Sequence, residues 1–209
     1  MSKNKKHAVG GVGEVLWDIF PDTKKLGGAP ANFAVHAQQL GTNSFLLSAV
    51  GNDPLGQKAI AYLQHLQVDT SGIQFKEDFA TGRVNVSLDP MGNPSYDIQE
   101  NVAWDHIEFD TNQKNIAQDL DALCFGTLAQ RNSMAQNSIL KILKSTTPDC
   151  LRVFDVNFRQ DLYTAKMVEQ SLDLANAVKM NQDEFSAIAT MLYLSKKSRK
   201  RTATSNPKI

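Results

Sequence analysis

Gly27-Gly28-Ala29-Pro30-Ala31-Asn32-Phe33-Ala34 is the stretch on which the reading of this 209-residue chain turns. Two adjacent glycines bring backbone close to a ligand. Pro30 opens a helix at its first turn, carried by Phe33, Ala34, Ala37 and Leu40, and Gly41 closes it. Asn32 projects from that first turn, where unpaired amides favour polar and anionic groups. On these residues alone, the stretch reads equally as a ligand-approaching loop and as a tight turn into a helix.

Outward from it, the pattern alternates between strand-like and helix-like segments. Residues 8–15 form a glycine-punctuated strand, and 16–20 are extended ahead of Pro21. Residues 45–50 are a fully apolar strand. Residues 54–66 form a helix with Ile60, Leu63 and Leu66 on one face. Later units repeat the scheme, with strands at 122–125, 151–156 and 178–180 and helices at 133–143, 167–177 and 183–192. Repeated β-then-α units predict an α/β fold, a mostly parallel sheet with helices on both faces. One stretch differs in kind. Val84, Val86 and Leu88 alternate with Asn85, Ser87 and Asp89, the period of a strand with one wet face. A turn at 90–94 and a return at 95–99 complete a hairpin placed like a flap over something. No linker divides the chain, so 1–194 reads as one domain.

Composition excludes several classes. With 42% apolar, 21% charged and 8% aromatic residues, the chain is ordinary globular protein. No apolar run approaches the roughly eighteen residues of a membrane span. The basic N-terminus runs into glycines rather than an apolar signal core. Cys124 and Cys150 sit in different segments, which suggests a reducing cytoplasm rather than a disulfide framework. The formal charge is zero, but residues 195–209 hold six of the 22 basic residues and no acid. The remainder has 16 basic against 22 acidic residues and is a poor general nucleic-acid binder. From Ser195 onward the apolar periodicity stops, and 195–209 reads as a basic, unstructured tail.

Familiar motifs fail on inspection. After Gly11-Val12-Gly13 the third glycine of a dinucleotide fingerprint would fall at Leu16, and no helix follows. Gly51-Asn52-Asp53-Pro54-Leu55-Gly56 has the glycine spacing of a P-loop. Gln57 stands at the lysine position, however, and Pro54 removes an amide that the loop needs. His7, His36, His65 and His106 have no mutual metal spacing, and there is no Gly-x-Ser-x-Gly elbow.

A family resemblance does emerge. The opening octet, followed after six residues by Gly41 and nine later by Gly51, resembles the N-terminal signature of the ribokinase/PfkB sugar kinases. The likeness runs from about Val9 to Leu192. It takes in the turn Gly13 to Asp18, the Val50-Gly51-Asn52-Asp53 loop, Gly126-Thr127-Leu128, Phe154 to Arg159 and Asn181-Gln182-Asp183-Glu184. Gly13-Glu14-Val15-Leu16-Trp17-Asp18 is most similar to bacterial fructokinases.

That resemblance implies ATP-dependent phosphorylation of a sugar hydroxyl, a β lid from about 14–20 and 82–100, and a possible homodimer through the lid. It implies sugar contacts from Asp18, Gly28, Ala29, Asn32 and Arg159. A carboxylate such as Asp18 accepts two hydroxyl hydrogen bonds, and the Arg159 fork suits hydroxyls or a phosphate. Ala29 stands where ribokinases proper have lysine, which argues against ribose. Asn181 and Glu184 match the family's N-x-x-E motif, which organises magnesium and phosphate without itself holding the metal directly. The family's base is the aspartate of a Gly-Ala-Gly-Asp motif. No Gly-x-Gly-Asp follows Glu184, so the expectation is a C-terminally truncated, inactive fragment with an incomplete sheet. Two alternatives remain: a non-catalytic sugar-binding or regulatory protein and, less favoured, a nucleic-acid-associated protein working through the basic tail.

Overall fold

A computed structural model describes residues 6–88, 91 and 94–204, so the expected turn at 90–94 and the last five residues of the tail fall largely outside it. The first half runs β1 (Ala8–Val12), β2 (Leu16–Ile19), β3 (Lys24–Gly27), α1 (Ala29–Gln39), β4 (Asn43–Gly51), α2 (Pro54–His65) and β5 (Ile73–Lys76). The second runs β6 (Gly82–Leu88), β7 (Pro94–Ile98), α3 (Thr111–Asp119), β8 (Ala122–Gly126), α4 (Ser133–Ser145), β9 (Leu151–Asp155), α5 (Ala165–Leu174), β10 (Ala177–Lys179) and α6 (Gln182–Thr204).

Six strands form a sheet in the order β10-β9-β8-β1-β4-β5, parallel at every pairing. Successive residues of β4 face opposite ways, as a pleated strand requires. Leu46 and Val50 pack with Ala31 and Ala34 of α1 and with Ala59 and Leu63 of α2. Leu47 and Ala49 join the larger core, with Ala117 of α3, Ile139, Ile142 and Leu143 of α4 and Phe125 and Phe154 of the sheet. The sheet is therefore covered on both faces, as the alternating pattern predicts.

The other four strands make a second sheet, β3-β2-β6-β7. Here Val84 and Val86 are buried while Asn85 and Ser87 are exposed, which is the expected single wet face. The strand expected over 8–15 ends at Val12, and the second sheet begins with β2 at Leu16. Gly13, at φ 140°, turns the chain between β1 and β2, and its amide donates to the Leu47 carbonyl at 3.1 Å.

The C-terminal segment corrects an expectation. α6 does not stop near Leu194 but continues through the basic residues to Thr204. Lysine and arginine are good helix formers, and neither glycine nor proline interrupts the run before Pro207. A helix already nucleated adds such residues at little cost.

The near-miss P-loop proves to be a helix cap. Asp53 Oδ1 accepts from the Gly56 amide and the Thr81 hydroxyl, both at 2.8 Å, and Oδ2 from the Thr81 amide at 2.8 Å. The Thr81 hydroxyl in turn accepts from the Gly51 amide at 3.0 Å. The glycine spacing serves packing, since a Cβ on Gly56 would lie 2.1 Å from the Gly51 carbonyl oxygen. Burial pushes the Asp53 carboxyl up, but these hydrogen bonds outweigh it and hold the pKa below its ordinary value. The stabilisation is therefore present at neutral pH and is lost as pH falls through that lowered pKa. Asp53→Ala is expected to cost about 2–3 kcal/mol in urea unfolding, because it removes a cap and strands buried donors. A loss below about 0.5 kcal/mol would contradict this account.

Candidate functional site

In an open parallel sheet, the crevice for ligands lies at the carboxyl ends of the strands where the strand order reverses. Here β1 is followed outward by β4 on one side and neighboured by β8 on the other, so the reversal falls between β1 and β8. A cleft of about 430 Å³ opens there. Its polar wall carries Glu14, Asp18, Asn32, Asn157 and Arg159, with the backbone of Gly28 and Ala29. Leu16, Val84, Ile98, Leu128 and Tyr96 form the apolar side, much of it contributed by the second sheet.

The shape follows from glycines on both sides of one contact. Gly28, at φ 107°, is the N-cap of α1, and a Cβ there would lie 2.3 Å from the Glu14 carbonyl oxygen. A Cβ on Gly27 would lie 2.6 Å from Asp18 Oδ2, so a side chain at that position would displace the carboxylate. Asp18 sits on β2, half-buried. Burial raises its pKa, and the Arg159 guanidinium opposes the rise. Arg159 is exposed, between Asn157 at φ 40° and Gln160 at φ 49° in the loop after β9. Gln160 Nε2 donates to the Tyr96 carbonyl at 2.9 Å, tying that loop to β7. All five residues expected to meet substrate (Asp18, Gly28, Ala29, Asn32 and Arg159) thus line one cleft.

Asn181 and Glu184 are brought together, but outside that lining. They form a reciprocal capping box at the start of α6. Glu184 Oε2 accepts from the Asn181 amide and Asn181 Oδ1 from the Glu184 amide, both at 2.8 Å. Glu184 Oε1 accepts from the Phe158 amide at 3.1 Å, which fixes the residue beside Arg159. Both carboxylate oxygens are therefore engaged by backbone, and the pair does not fit a magnesium ion as direct ligands. Among the described residues, no group of three or more His, Cys, Asp or Glu side chains is placed to hold a metal.

Sequence reasoning passed over Glu14. It is 2% exposed on the cleft floor, with Oε1 accepting from the Ala29 amide at 3.1 Å and Oε2 buried without a hydrogen-bond partner among the described residues. Burial pushes its carboxyl up to about 7; its own backbone amide, the Ala29 amide and Arg159 resist, and Asp155 adds to the rise. The one available signal was an acid at the end of an otherwise apolar, glycine-punctuated strand.

The chain belongs to the pfkB family of carbohydrate kinases, whose pattern matches residues 13–203. A sugar kinase of Pyrococcus horikoshii is 34% identical over 175 residues, covering 81% of this chain and 56% of its own length. Its crystal structure in complex with ATP superposes with a TM-score of 0.79 at 32% identity, over 88% of this chain and 65% of that one. The fructokinase of Salmonella typhimurium is 29% identical over 192 residues, covering 86% of this chain and 62% of its own. The ATP-bound fructokinase of Xylella fastidiosa shares the fold, with a TM-score of 0.83 at 22% identity over 90% of this chain and 65% of that one. The chain therefore spans 56% and 62% of the length of its two sequence relatives.

Two outcomes follow from the side-chain environments. Glu14 binds its proton more tightly folded, near 7, than unfolded, near 4.5, so its contribution to stability is full below 4.5 and fades as pH rises through 7. Unfolding free energy is expected to fall by on the order of 3 kcal/mol across that window, and Glu14→Gln to flatten the profile. Glu184→Ala, which removes the cap and leaves the Phe158 amide unpaired, is expected to cost about 2 kcal/mol in the same assay.

Proposed function

We propose that the cleft binds a neutral sugar, with D-fructose as reference ligand, and that the chain is the sugar-binding portion of an ATP-dependent, fructokinase-like sugar kinase. The observation that carries this reading is the convergence of Asp18, Gly28, Ala29, Asn32 and Arg159 on one cleft of about 430 Å³, a size that suits a small polyhydroxylated ligand. Hydroxyl-rich ligands need acceptors and donors on one side and a flat apolar cover on the other. Asp18 accepts, Asn32 and Arg159 donate, and Leu128, Val84, Ile98 and Tyr96 provide the cover. The second sheet, tied down through Gln160 and Tyr96, serves as the lid.

Phosphoryl transfer needs positioning, charge stabilisation and a base for the hydroxyl proton. This chain's residues supply the positioning of the acceptor. No Gly-x-Gly-Asp follows Glu184, so the base that the family supplies has no counterpart in these 209 residues. Binding without turnover is the function assigned to the chain by itself.

The test is thermal denaturation with increasing D-fructose, alongside an ADP-release assay. Fructose is expected to raise the melting temperature through its binding to the folded state, with no ADP above background. Asp18→Ala removes hydrogen bonds to a charged group and is expected to weaken binding by about 10- to 100-fold. A shift that is absent, or unchanged in Asp18→Ala, would remove the reading. ADP release comparable with a full-length relative would remove the claim that the chain only binds.

A further inference from the structure

We propose that Glu14 is a positioning residue that clamps the start of α1 from inside the cleft and couples sugar binding to uptake of one proton. The inference rests on the sugar reading above and goes beyond it, because the sequence reading gave Glu14 no role of its own.

The geometry is that of a clamp. Glu14 lies between β1 and β2, where its own carbonyl oxygen leaves no room for a side chain on Gly28. Its Oε1 takes the Ala29 amide, the donor next to the helix N-cap. One residue thus touches α1 twice, through backbone and carboxyl, at the segment that presents Gly28, Ala29 and Asn32 to the cleft. Oε2 is buried and takes no hydrogen bond from a described residue. The other ionisable groups around it come from every neighbouring strand. Asp18 is on β2, Cys124 on β8 and Arg159 after β9. Asp155 at the end of β9 is itself paired with Lys179 of β10 at 3.0 Å.

The sign of the coupling follows from access. Glu14 is 2% exposed and its Oε2 is buried, so in this geometry the carboxylate lies out of reach of a sugar hydroxyl. A sugar filling the cleft lowers the polarity of the space above Glu14 and offers its carboxylate no hydrogen bond. That change disfavours the carboxylate further. The bound-state pKa therefore lies above the free-state value, which burial already places at about 7. Affinity is constant below the free-state pKa, falls as pH rises between the two, and levels off above the bound-state pKa. Asp18 behaves oppositely. Sugar hydroxyls donate to its open carboxylate and favour the charged form, so its limb lies on the acid side of the profile. The result is a bell whose alkaline limb belongs to Glu14.

The experiment is calorimetric titration of the wild-type chain, Glu14→Gln and Glu14→Ala with D-fructose from pH 5.5 to 8.5. Wild-type affinity is expected to fall about tenfold between pH 7 and 8.5, with proton uptake visible as a buffer-dependent heat. Glu14→Gln, which keeps an acceptor for Ala29, should lose that limb and the uptake. Glu14→Ala should bind at least tenfold more weakly at pH 6, with Glu14→Gln restoring most of the loss. The same alkaline limb in wild type and Glu14→Gln overturns the proposal. In parallel, the Ala29 amide resonance of the sugar-free wild-type chain is followed over the same pH range, which needs no variant to fold. A midpoint near 7 supports the clamp, and an amide that does not titrate overturns it. Absence of fructose binding by the wild type at every pH would defeat the sugar reading itself, and with it the coupling, while the Ala29 amide still decides the clamp.

Discussion

The first turn of α1 lies directly on the end of β1, with no side chain between them. A Cβ on Gly11 would sit 2.2 Å from the Pro30 carbonyl oxygen, and one on Gly28 would sit 2.3 Å from that of Glu14. Such distances leave no room for even an alanine, so the contact exists only because both positions are glycine. Its consequences spread outward. The helix N-terminus is held over the point where the strand order reverses, its Ala29 amide donates to Glu14, and β2 is carried away to begin the second sheet. The cleft is the space left between those two departures. Asp18 enters it from β2, Asn32 from α1 and Arg159 from the loop after β9.

Much of this could be read from residue order. The Gly-Gly-Ala-Pro stretch announced a helix start, which is present, while its glycines make their close approaches to the chain's own Glu14 and Asp18. The apolar runs gave the central strands, because buried parallel strands leave a nearly continuous hydrophobic signature. Other elements left weaker marks. β3 reads Lys-Lys-Leu-Gly, and its two exposed lysines hide a strand that exists only through pairing with β2. β5 is four residues long, and α3 has a polar sequence whose Gln113 is nevertheless buried, donating to the Gly72 carbonyl at 2.8 Å. Tertiary context made these elements, and local pattern could not.

The site divides in the same way. Asp18 and Arg159 were legible through the family resemblance, and Asn32 also as a polar side chain in the first turn of a helix. Glu14 was not, because its importance comes from depth of burial, which sequence does not display. Asn181 and Glu184 taught the opposite lesson. Three-residue spacing at a helix start is a capping signal before it is anything else, and the structure uses both side chains as a cap. Their cap nonetheless reaches the cleft indirectly, since Glu184 also holds the backbone next to Arg159.

The central claim is that the glycine contact between β1 and α1 builds a sugar site. It is tested most directly by titrating the isotopically labelled chain with D-fructose and mapping which backbone amides move. The account expects the largest changes at residues 28–32 and 157–159, with smaller ones along β2 and β6. Changes centred instead on the Asp53 cap, or no changes at saturating sugar, would contradict it.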